Sequence, residues 1–330
     1  MTLHISEADV RAMLTMPAAI EAVEEISRKQ STGEVVVHPR RRFELPANGF
    51  FHYMAAADYS AGFVAMKQYT YVRGALRFLV PLYEMATGAL VALIEADYMG
   101  QLRTGAASGV ATKYLARKNA QTAGIVGSGG QAKTQLEAVA AVRKLSEARV
   151  YGRSAEKREA FAQEMSARIG VPVRAADSAS EAAQGADIVV TATTSATPVV
   201  SSTDLAPGVH INAIGANHAH KSELDAEAVA SADVIVVDSV EQSRQEAGDL
   251  IIAFHGDEIC WTGVKRLCDV LAGKTSGRTS DSEVTLFKSN GIASWDLAVA
   301  MRVYAMAKER GLGRELPLWK EQQDAAIGEY

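Results

Sequence analysis

A glycine-rich turn lies near the centre of the chain, between an apolar run and a stretch with helical character. Residues 122–132 read TAGIVGSGGQA. Gly127 permits a tight turn, Gly129 lets the backbone approach a bound group, and a helix that starts near Gln131 offers free N–H groups. This pattern is typical of a dinucleotide-binding loop. We therefore expect Gly127, Gly129, Gly130 and Gln131 to bind a dinucleotide, the alternative being a glycine turn in another α/β fold.

The end of the next apolar run bears on which dinucleotide is expected. Gly152, Arg153 and Ser154 follow this run, which covers residues 148–151. NAD sites usually place an Asp or Glu here to accept from the ribose 2′-hydroxyl, whereas Arg153 and Ser154 can hold a 2′-phosphate. NADP(H) is therefore favoured. NAD(H) stays open, because Arg153 can also stack on the adenine or point into solvent.

Two cations are the strongest candidates for chemistry on a substrate. Lys67 lies in the run VAMKQY, where a buried ammonium group is unfavourable without a partner. Burial lowers the pKa of a lysine, so Lys67 can donate a proton, unless it lies at a sheet edge. Arg103 precedes a run of small residues, and its guanidinium can clamp an α-carboxylate. Thr104, beside it, is expected to reach the cofactor phosphates.

A cluster of threonines lies at the carboxyl end of the apolar run at residues 188–191, from Thr191 to Thr194. Ligands bind outside the carboxyl ends of the strands in a parallel sheet. We therefore expect Thr191 and Thr193 to line the nicotinamide side of the cofactor site.

The order of apolar runs predicts the elements that position these residues. Residues 6–30 predict two helices, and residues 35–95 predict short strands separated by Gly, Asn or Pro. Residues 122–238 alternate between strands and helices, which is typical of a doubly wound parallel sheet. A helix at about 293–312 is expected to return to the first part of the chain.

The fold class that follows is α/β, with a Rossmann sheet and a discontinuous α+β substrate domain. A length of 330 residues also favours two domains. The predicted bounds are 1–117 with 293–330 for the substrate domain, and 118–292 for the Rossmann domain.

Composition argues against several classes of function. The formal net charge of −5 predicts no nucleic-acid surface. No apolar run is long enough to cross a bilayer, and the first twenty residues carry charges throughout, so we expect neither a membrane span nor a signal peptide. Cys260 and Cys268 lack metal-binding spacing, so no metal site is expected. These features favour a reducing, cytoplasmic compartment.

Several segments resemble one known family. Residues 126–132 (VGSGGQA) and 102–107 (LRTGAA) are similar to the glycine loop and the preceding block of the ornithine cyclodeaminase/μ-crystallin family. Residues 208–215 and 222–225 fit as well, and the similarity covers nearly the whole chain. The family includes cyclodeaminases, alanine dehydrogenase and ketimine reductases. The resemblance implies a homodimer built through the first domain, with the active site between domains.

The resemblance also implies further site residues. An arginine on an early strand of the family corresponds to Arg41, although the run of three arginines at 40–42 leaves this register open. Gly291 corresponds to a family loop near the nicotinamide. Lys221 is expected to approach the cofactor.

One position departs from the cyclodeaminases of this family. They carry an aspartate used in deamination where this chain has Asn217. An amide can orient a substrate amine but cannot act as a general base. We therefore expect an NAD(P)H-dependent imine reductase or amino-acid dehydrogenase, in which Asn217 orients a small amino or imino acid. His218 and His220 are either site residues or polar loop residues.

The substrate side chain and two other functions stay open. Adjacent arginines and nearby histidines hint at a dicarboxylic imine such as iminosuccinate. The alternatives are a cyclodeaminase-type lyase with bound NAD, and a non-catalytic, crystallin-like dinucleotide-binding protein. Lys67 and Arg103 argue against the last, because a scaffold needs no buried charged pair.

Overall fold

The computed structural model describes residues 2–318, which form two β-sheets with helices packed against them. The first part of the chain contains β1 (Thr2–Ile5), α1 (Glu7–Met13), α2 (Met16–Thr32), β2 (Val35–Leu45), β3 (Gly49–Asp58), β4 (Phe63–Val72), β5 (Ala75–Glu84), β6 (Leu90–Glu95) and α3 (Asp97–Leu115). The central part contains β7 (Thr122–Val126), α4 (Gly130–Val142), β8 (Glu147–Tyr151), α5 (Ala155–Ile169), β9 (Val173–Ala175), α6 (Ala179–Ala183), β10 (Ile188–Thr191), β11 (His210–Ala213), α7 (Ala226–Ala230), β12 (Val234–Val237), α8 (Val240–Glu246), α9 (Gly248–Phe254), α10 (Glu258–Thr262), β13 (Lys265–Arg266), α11 (Leu267–Leu271) and β14 (Thr285–Lys288). The last two elements are α12 (Ala293–Arg310) and β15 (Arg314–Leu316).

The central part forms an eight-stranded parallel sheet in the order β13-β12-β14-β11-β10-β7-β8-β9. The chain runs from β7 outward to β9 on one side and then returns to β10 on the other. The strand order therefore reverses between β7 and β10, and ligands of doubly wound sheets bind at such a switch point. This is the Rossmann sheet that the alternation of strands and helices predicts.

The second sheet has seven strands in the order β15-β1-β6-β5-β4-β3-β2. Strands β2 to β6 pair antiparallel, whereas β1 pairs parallel with β6. Along β3 the side chains of His52, Met54 and Ala56 are buried and alternate with partly exposed ones, as expected of a sheet with one covered face. Helices α2, α3 and α12 pack on this sheet, so α12 joins the first part of the chain as predicted.

Helix α3 brings the two sheets together because its residues are small. A Cβ atom on Gly105 would lie 2.4 Å from the carbonyl oxygen of Thr134, so the backbones of α3 and α4 are in direct contact. This close approach places Arg103 and Thr104 beside the loop that precedes α4.

Some elements were not predicted from the sequence. They include the edge strands β9, β13 and β15, strand β1, which lies between β15 and β6, and β14, which lies inside the Rossmann sheet. The predicted domain bounds stay a prediction, and their last segment, 319–330, lies outside the described residues. Within residues 2–318 no helix combines the length and apolar character needed to cross a membrane.

Candidate active site

A cavity of about 630 Å³ lies between the antiparallel sheet and the carboxyl ends of the Rossmann strands. Strands β3, β4 and β5 and the start of α3 form one side, and the loops after β7, β10, β11 and β14 form the other. The predicted residues that line it are Lys67, Arg103, Thr104, Gly129, Gly130, Gln131, Thr193, Asn217 and Gly291. The cavity therefore joins the predicted cofactor loop to the predicted substrate residues.

A buried carboxylate connects the two cations that the sequence singles out. Asp296, in the first turn of α12, accepts at Oδ1 from Lys67 Nζ and from Arg103 Nε, each at 3.0 Å. All three side chains are almost fully buried. Burial, followed by the positive charge of Arg103, lowers the pKa of Lys67 to about 8. Lys67 can therefore both give and take a proton near neutral pH.

The ammonium group of Lys67 lies in an apolar part of the cavity. Its Nζ is 5.2 Å from the ring centre of Phe78 and 5.9 Å from that of Tyr69. A Cβ on Gly100 would lie 3.2 Å from this nitrogen, so helix α3 passes directly beside it. The apolar wall is completed by Phe50, Met54 and Leu76. This wall suits a small substrate with an apolar body.

The ion pair with Asp296 uses only the Nε group of Arg103. Its Nη1 is buried and has no hydrogen-bond partner within residues 2–318. Gly291 lies against it, since a Cβ there would be 2.6 Å from Nη1, and the φ angle of +79° also favours glycine. Buried polar groups normally have partners, so an anionic ligand at this nitrogen is expected of a carboxylate clamp. Thr104 also lines the cavity and donates to the carbonyl oxygen of Gly100 at 2.7 Å.

The arginine that reaches the cavity from β2 is Arg40, whereas the predicted Arg41 does not reach it. Arg40 donates from Nη1 to Glu246 Oε2 at 2.7 Å and from Nη2 to the carbonyl oxygen of Asn290 at 2.7 Å. Its side chain is 5% exposed. Arg41 is exposed and does not line the cavity. Arg40 therefore joins the antiparallel sheet to helix α8 of the Rossmann part.

A bulge in β2 explains this change of register. His38 lies opposite Ala55 but Arg41 lies opposite Tyr53, so β2 has one extra residue between these pairs. Pro39 lies within the bulge and has no N–H group to donate to the ladder. The extra residue reverses the alternation of side chains, which turns Arg41 outward.

The loop after β7 fits the pyrophosphate of a dinucleotide. Gly127 has a φ of +122°, and a Cβ there would be 2.4 Å from the carbonyl oxygen of Ala192. Helix α4 follows Gly129 without a side-chain cap, and a Cβ on Gly129 would meet nothing within 4 Å. Gly130 and Gln131 line the cavity at this point. Uncapped N–H groups that face open space at a helix start suit an anion.

The residues predicted to distinguish NADP from NAD lie outside the cavity. Arg153 and Ser154 follow the carboxyl end of β8, beside β7, and both are exposed. The Oγ of Ser154 accepts from the N–H of Lys157 at 3.3 Å and so caps α5. Their role toward the cofactor stays a prediction.

One buried carboxylate holds two loops of the cavity in place. Glu223 accepts from Thr191 Oγ1 at 2.9 Å, and from the N–H groups of Thr193 and Gly215 at 2.6 Å each. Burial raises the pKa of Glu223. Thr191 is fully buried by this contact and does not line the cavity, whereas Thr193 does. Glu223 therefore positions the loops after β10 and β11, the second of which carries Asn217.

Lys221 does not line the cavity either. It is half-buried, and its N–H donates to the carbonyl oxygen of His218 at 3.0 Å. His218 lines the cavity, and the exposed His220 does not. The predicted role of Lys221 toward a cofactor stays a prediction.

Several site residues were missed in the sequence. Asp296 is a lone acid in the apolar stretch ASWDLAVA, and this isolation was the available signal. Glu223 lies in a segment that was noted only for its family resemblance. His52 lies between two aromatic residues on β3, and Tyr69 lies between Gln68 and Thr70 on β4. Nothing in the sequence distinguishes either of them as a site residue.

Known proteins share both the sequence and the fold of this chain. Residues 2–311 match the ornithine cyclodeaminase/mu-crystallin family. The chain belongs to this family. A Delta(1)-pyrroline-2-carboxylate reductase of Bacillus cereus is 43% identical over 243 residues, which cover 72% of this chain and 73% of that protein. The resemblance carried by the glycine loop is therefore confirmed.

Two solved structures of other proteins resemble this ornithine cyclodeaminase/mu-crystallin family member closely. Thermococcus litoralis Delta(1)-pyrroline-2-carboxylate reductase in complex with NADH and L-proline has a TM-score of 0.91 and 36% identity, covering 95% of this chain and 100% of that chain. An archaeal alanine dehydrogenase dimer with bound NAD has a TM-score of 0.90 and 34% identity, covering 96% of this chain and 99% of that chain. The α/β fold with a Rossmann sheet is thus confirmed.

Proposed function

We propose that this chain is a nicotinamide-dependent oxidoreductase that interconverts a small amino acid and its imino acid. The proposal depends on the cluster of Lys67, Asp296 and Arg103, which shares one cavity with the glycine loop at 129–131. A proton donor and a carboxylate clamp therefore face the uncapped start of α4. The reductase and dehydrogenase relatives support the same chemistry.

Reduction of an imine adds a hydride to carbon and a proton to nitrogen. A bound nicotinamide supplies the hydride. Lys67 holds the proton at Nζ and gives it to the imine nitrogen, and neutral Lys67 takes it back when the amine is oxidised. Arg103 binds the α-carboxylate and so fixes the position of the C=N bond. Asp296 keeps both cations in place.

The ion pairs of the cavity favour a substrate with a single carboxylate. Arg40 is matched by Glu246, whereas Lys67 and Arg103 share Asp296. Within these ion pairs, three cations face two carboxylates, so one positive charge is left for a ligand. We propose a monocarboxylic imino acid such as Δ1-pyrroline-2-carboxylate, with its apolar ring against the aromatic wall. The dicarboxylic alternative has less support, because Arg40 already has a carboxylate partner.

The choice between NAD(H) and NADP(H) depends on the residues that follow β8. The solved relatives carry NADH and NAD, which supports a nicotinamide dinucleotide here. We propose that this chain also accepts NADPH and favours it. Arg153 follows β8, and neither Gly152 nor Ser154 provides a carboxylate that would repel a 2′-phosphate.

A homodimer is also proposed, built on the outer face of the antiparallel sheet. The exposed apolar side chains of this face include Val36, Phe43, Met66 and Tyr83, of which Phe43 is 58% exposed. Such a patch marks an association surface, and the alanine dehydrogenase relative is a dimer. Light scattering of the purified protein would give twice the chain mass.

A cytoplasmic location is proposed as well, since both cysteines are free thiols.

Oxidation of NADH or NADPH in the presence of candidate imines tests the function. We expect turnover with Δ1-pyrroline-2-carboxylate, and less with pyruvate or oxaloacetate plus ammonia. Lys67→Ala should lower kcat at least about a hundredfold, as loss of a general acid does, and leave dinucleotide affinity unchanged. Tight dinucleotide binding without turnover of any imine would contradict the proposal. Ammonia release from ornithine without net NADH consumption would indicate a cyclodeaminase instead.

A further inference from the structure

Arg42 contacts two histidines at the edge of the cavity. Its Nε donates to His52 Nε2, and its Nη2 donates to His218 Nε2 at 3.0 Å. Each imidazole bonds through its other nitrogen to a residue that lines the cavity. His52 Nδ1 lies 2.6 Å from the hydroxyl oxygen of Tyr69, and His218 Nδ1 lies 2.9 Å from Oδ1 of Asn217. One arginine thus connects two cavity side chains through two imidazoles.

The chemistry of arginine fixes the direction of every bond in this network. A guanidinium has donors only, so Nε2 of both histidines must accept, and each imidazole carries its single proton on Nδ1. The Nδ1–H group of His52 therefore donates to the oxygen of Tyr69. The Nδ1–H group of His218 donates to the carbonyl oxygen of Asn217. The hydroxyl proton of Tyr69 and the amide NH2 group of Asn217 are left to donate elsewhere.

The electrostatics of the site keep both histidines neutral. Burial, followed by the charge of Arg42, lowers the pKa of His52 to about 3 and that of His218 to about 4. Burial raises the pKa of Tyr69, so its O–H proton is retained. Within residues 2–318 neither the Tyr69 hydroxyl nor the Asn217 NH2 group has a hydrogen-bond acceptor.

We propose that Arg42 is a positioning residue that fixes the tautomers of His52 and His218 and thereby makes Tyr69 and Asn217 hydrogen-bond donors to the substrate. Two donors fit a ligand with acceptor atoms, such as a carboxylate or an imine nitrogen, and do not fit an ammonium group. The identity of this ligand as an imino acid rests on the proposed function. The tautomers do not, because they follow from protein groups alone.

The tautomers can be observed directly by long-range 1H–15N NMR of the protein labelled with 15N-histidine. His52→Gln and His218→Gln assign the two rings by removing one signal set each. We expect both rings to carry hydrogen on Nδ1 and a bare Nε2 at neutral pH. Arg42→Gln should change this pattern, whereas Arg77→Gln, an exposed arginine on β5, should not. A proton on Nε2 of either ring, or an unchanged pattern in Arg42→Gln, would overturn the proposal.

Kinetics test the consequence for the substrate. Tyr69→Phe should raise KM for the imino acid about tenfold, since one hydrogen bond to a charged group is lost. Arg42→Gln should raise KM by a similar factor, and adding Tyr69→Phe to it should have little further effect. The dissociation constant of NADH should stay unchanged in all variants, which shows that they fold. Additive effects of the two substitutions would contradict the link between Arg42 and Tyr69. If no imine is turned over, the proposed function fails, and the NMR experiment still decides the tautomers.

Discussion

Lys67 and Asp296 lie 229 positions apart in the sequence, yet Lys67 Nζ donates to Asp296 Oδ1 at 3.0 Å. The pair joins β4 to the first turn of α12, the helix that returns to the antiparallel sheet after the Rossmann segment. Because Asp296 is almost fully buried, its charge acts on Lys67 with little screening by water. The acidity of the proposed proton donor therefore depends on an element from the far end of the chain.

The pair predicts opposite pH dependence for the two directions of the reaction. Imine reduction needs protonated Lys67, so kcat/KM should fall as pH rises through about 8, the pKa of this lysine. Amine oxidation needs neutral Lys67 and should rise over the same range. Asp296→Asn removes a carboxylate that stabilises the charged form of Lys67. The fall in kcat/KM for reduction, which is the limb of the pH profile, should therefore move to lower pH. Profiles of kcat/KM in both directions measure this.

A matched control for the pH experiment is Asp177→Asn. Asp177 is 92% exposed and lies outside the cavity, so its profile should match that of the wild type. An Asp296→Asn profile that coincides with the wild type would show that Lys67 does not set the limb.

Substitution of Arg103 tests the carboxylate clamp. Arg103→Lys replaces a planar fork with a point charge, so KM for the imino acid should rise about ten- to hundredfold, the range expected for hydrogen bonds to a charged group. The dissociation constant of NADH should change little, because the glycine loop is untouched. Steady-state kinetics and fluorescence titration measure the two quantities. An unchanged KM would exclude Arg103 from carboxylate binding.

Glu246 is expected to exclude substrates with a second carboxylate. Glu246→Gln leaves Arg40 without its negative partner, so kcat/KM for iminosuccinate, formed from oxaloacetate and ammonia, should rise about tenfold relative to Δ1-pyrroline-2-carboxylate. Glu241→Gln, an exposed substitution on the same helix, is the control and should leave this ratio unchanged. A ratio that does not move in Glu246→Gln would mean that Arg40 does not select among substrates.

The elements that carry the cofactor loop could be predicted because they depend on local patterns. Strand β7, the glycine turn and α4 follow one another within residues 122–142, and each has its own signal of apolar periodicity or glycine. Strand β14 lacked such a signal. It is short, and its residue Lys288 is fully buried beside Asp249, a polar residue where a central strand normally shows an apolar one.

The partners of the site cations could not be predicted, because they depend on long-range contacts. In the sequence, Asp296 resembles any acid at a helix start, where its charge interacts favourably with the helix dipole. Its role as a partner of Lys67 arises only when α12 packs against β4. Arg40 and Glu246 are 206 positions apart. The bulge at Pro39 decides that Arg40 and Arg42, and not Arg41, lie on the cavity side, and simple alternation along a strand does not reveal a bulge.

The position of Arg153 leads us to expect a preference for NADPH over NADH. It follows the carboxyl end of β8, where the ribose of a dinucleotide lies in Rossmann proteins. Its side chain is exposed, so it can reach a 2′-phosphate. A charge-assisted hydrogen bond contributes about 1.5–3 kcal/mol, which corresponds to a roughly ten- to hundredfold preference for NADPH over NADH. Dissociation constants of both reduced cofactors, measured on the wild type and on Arg153→Ala, test this. Arg149→Ala, on β8 itself, is the control, since its guanidinium is bound to the carbonyl oxygens of Glu181 and Gln184. Equal affinity of the wild type for NADH and NADPH, or a ratio that Arg153→Ala leaves unchanged, would show that Arg153 does not contact the phosphate.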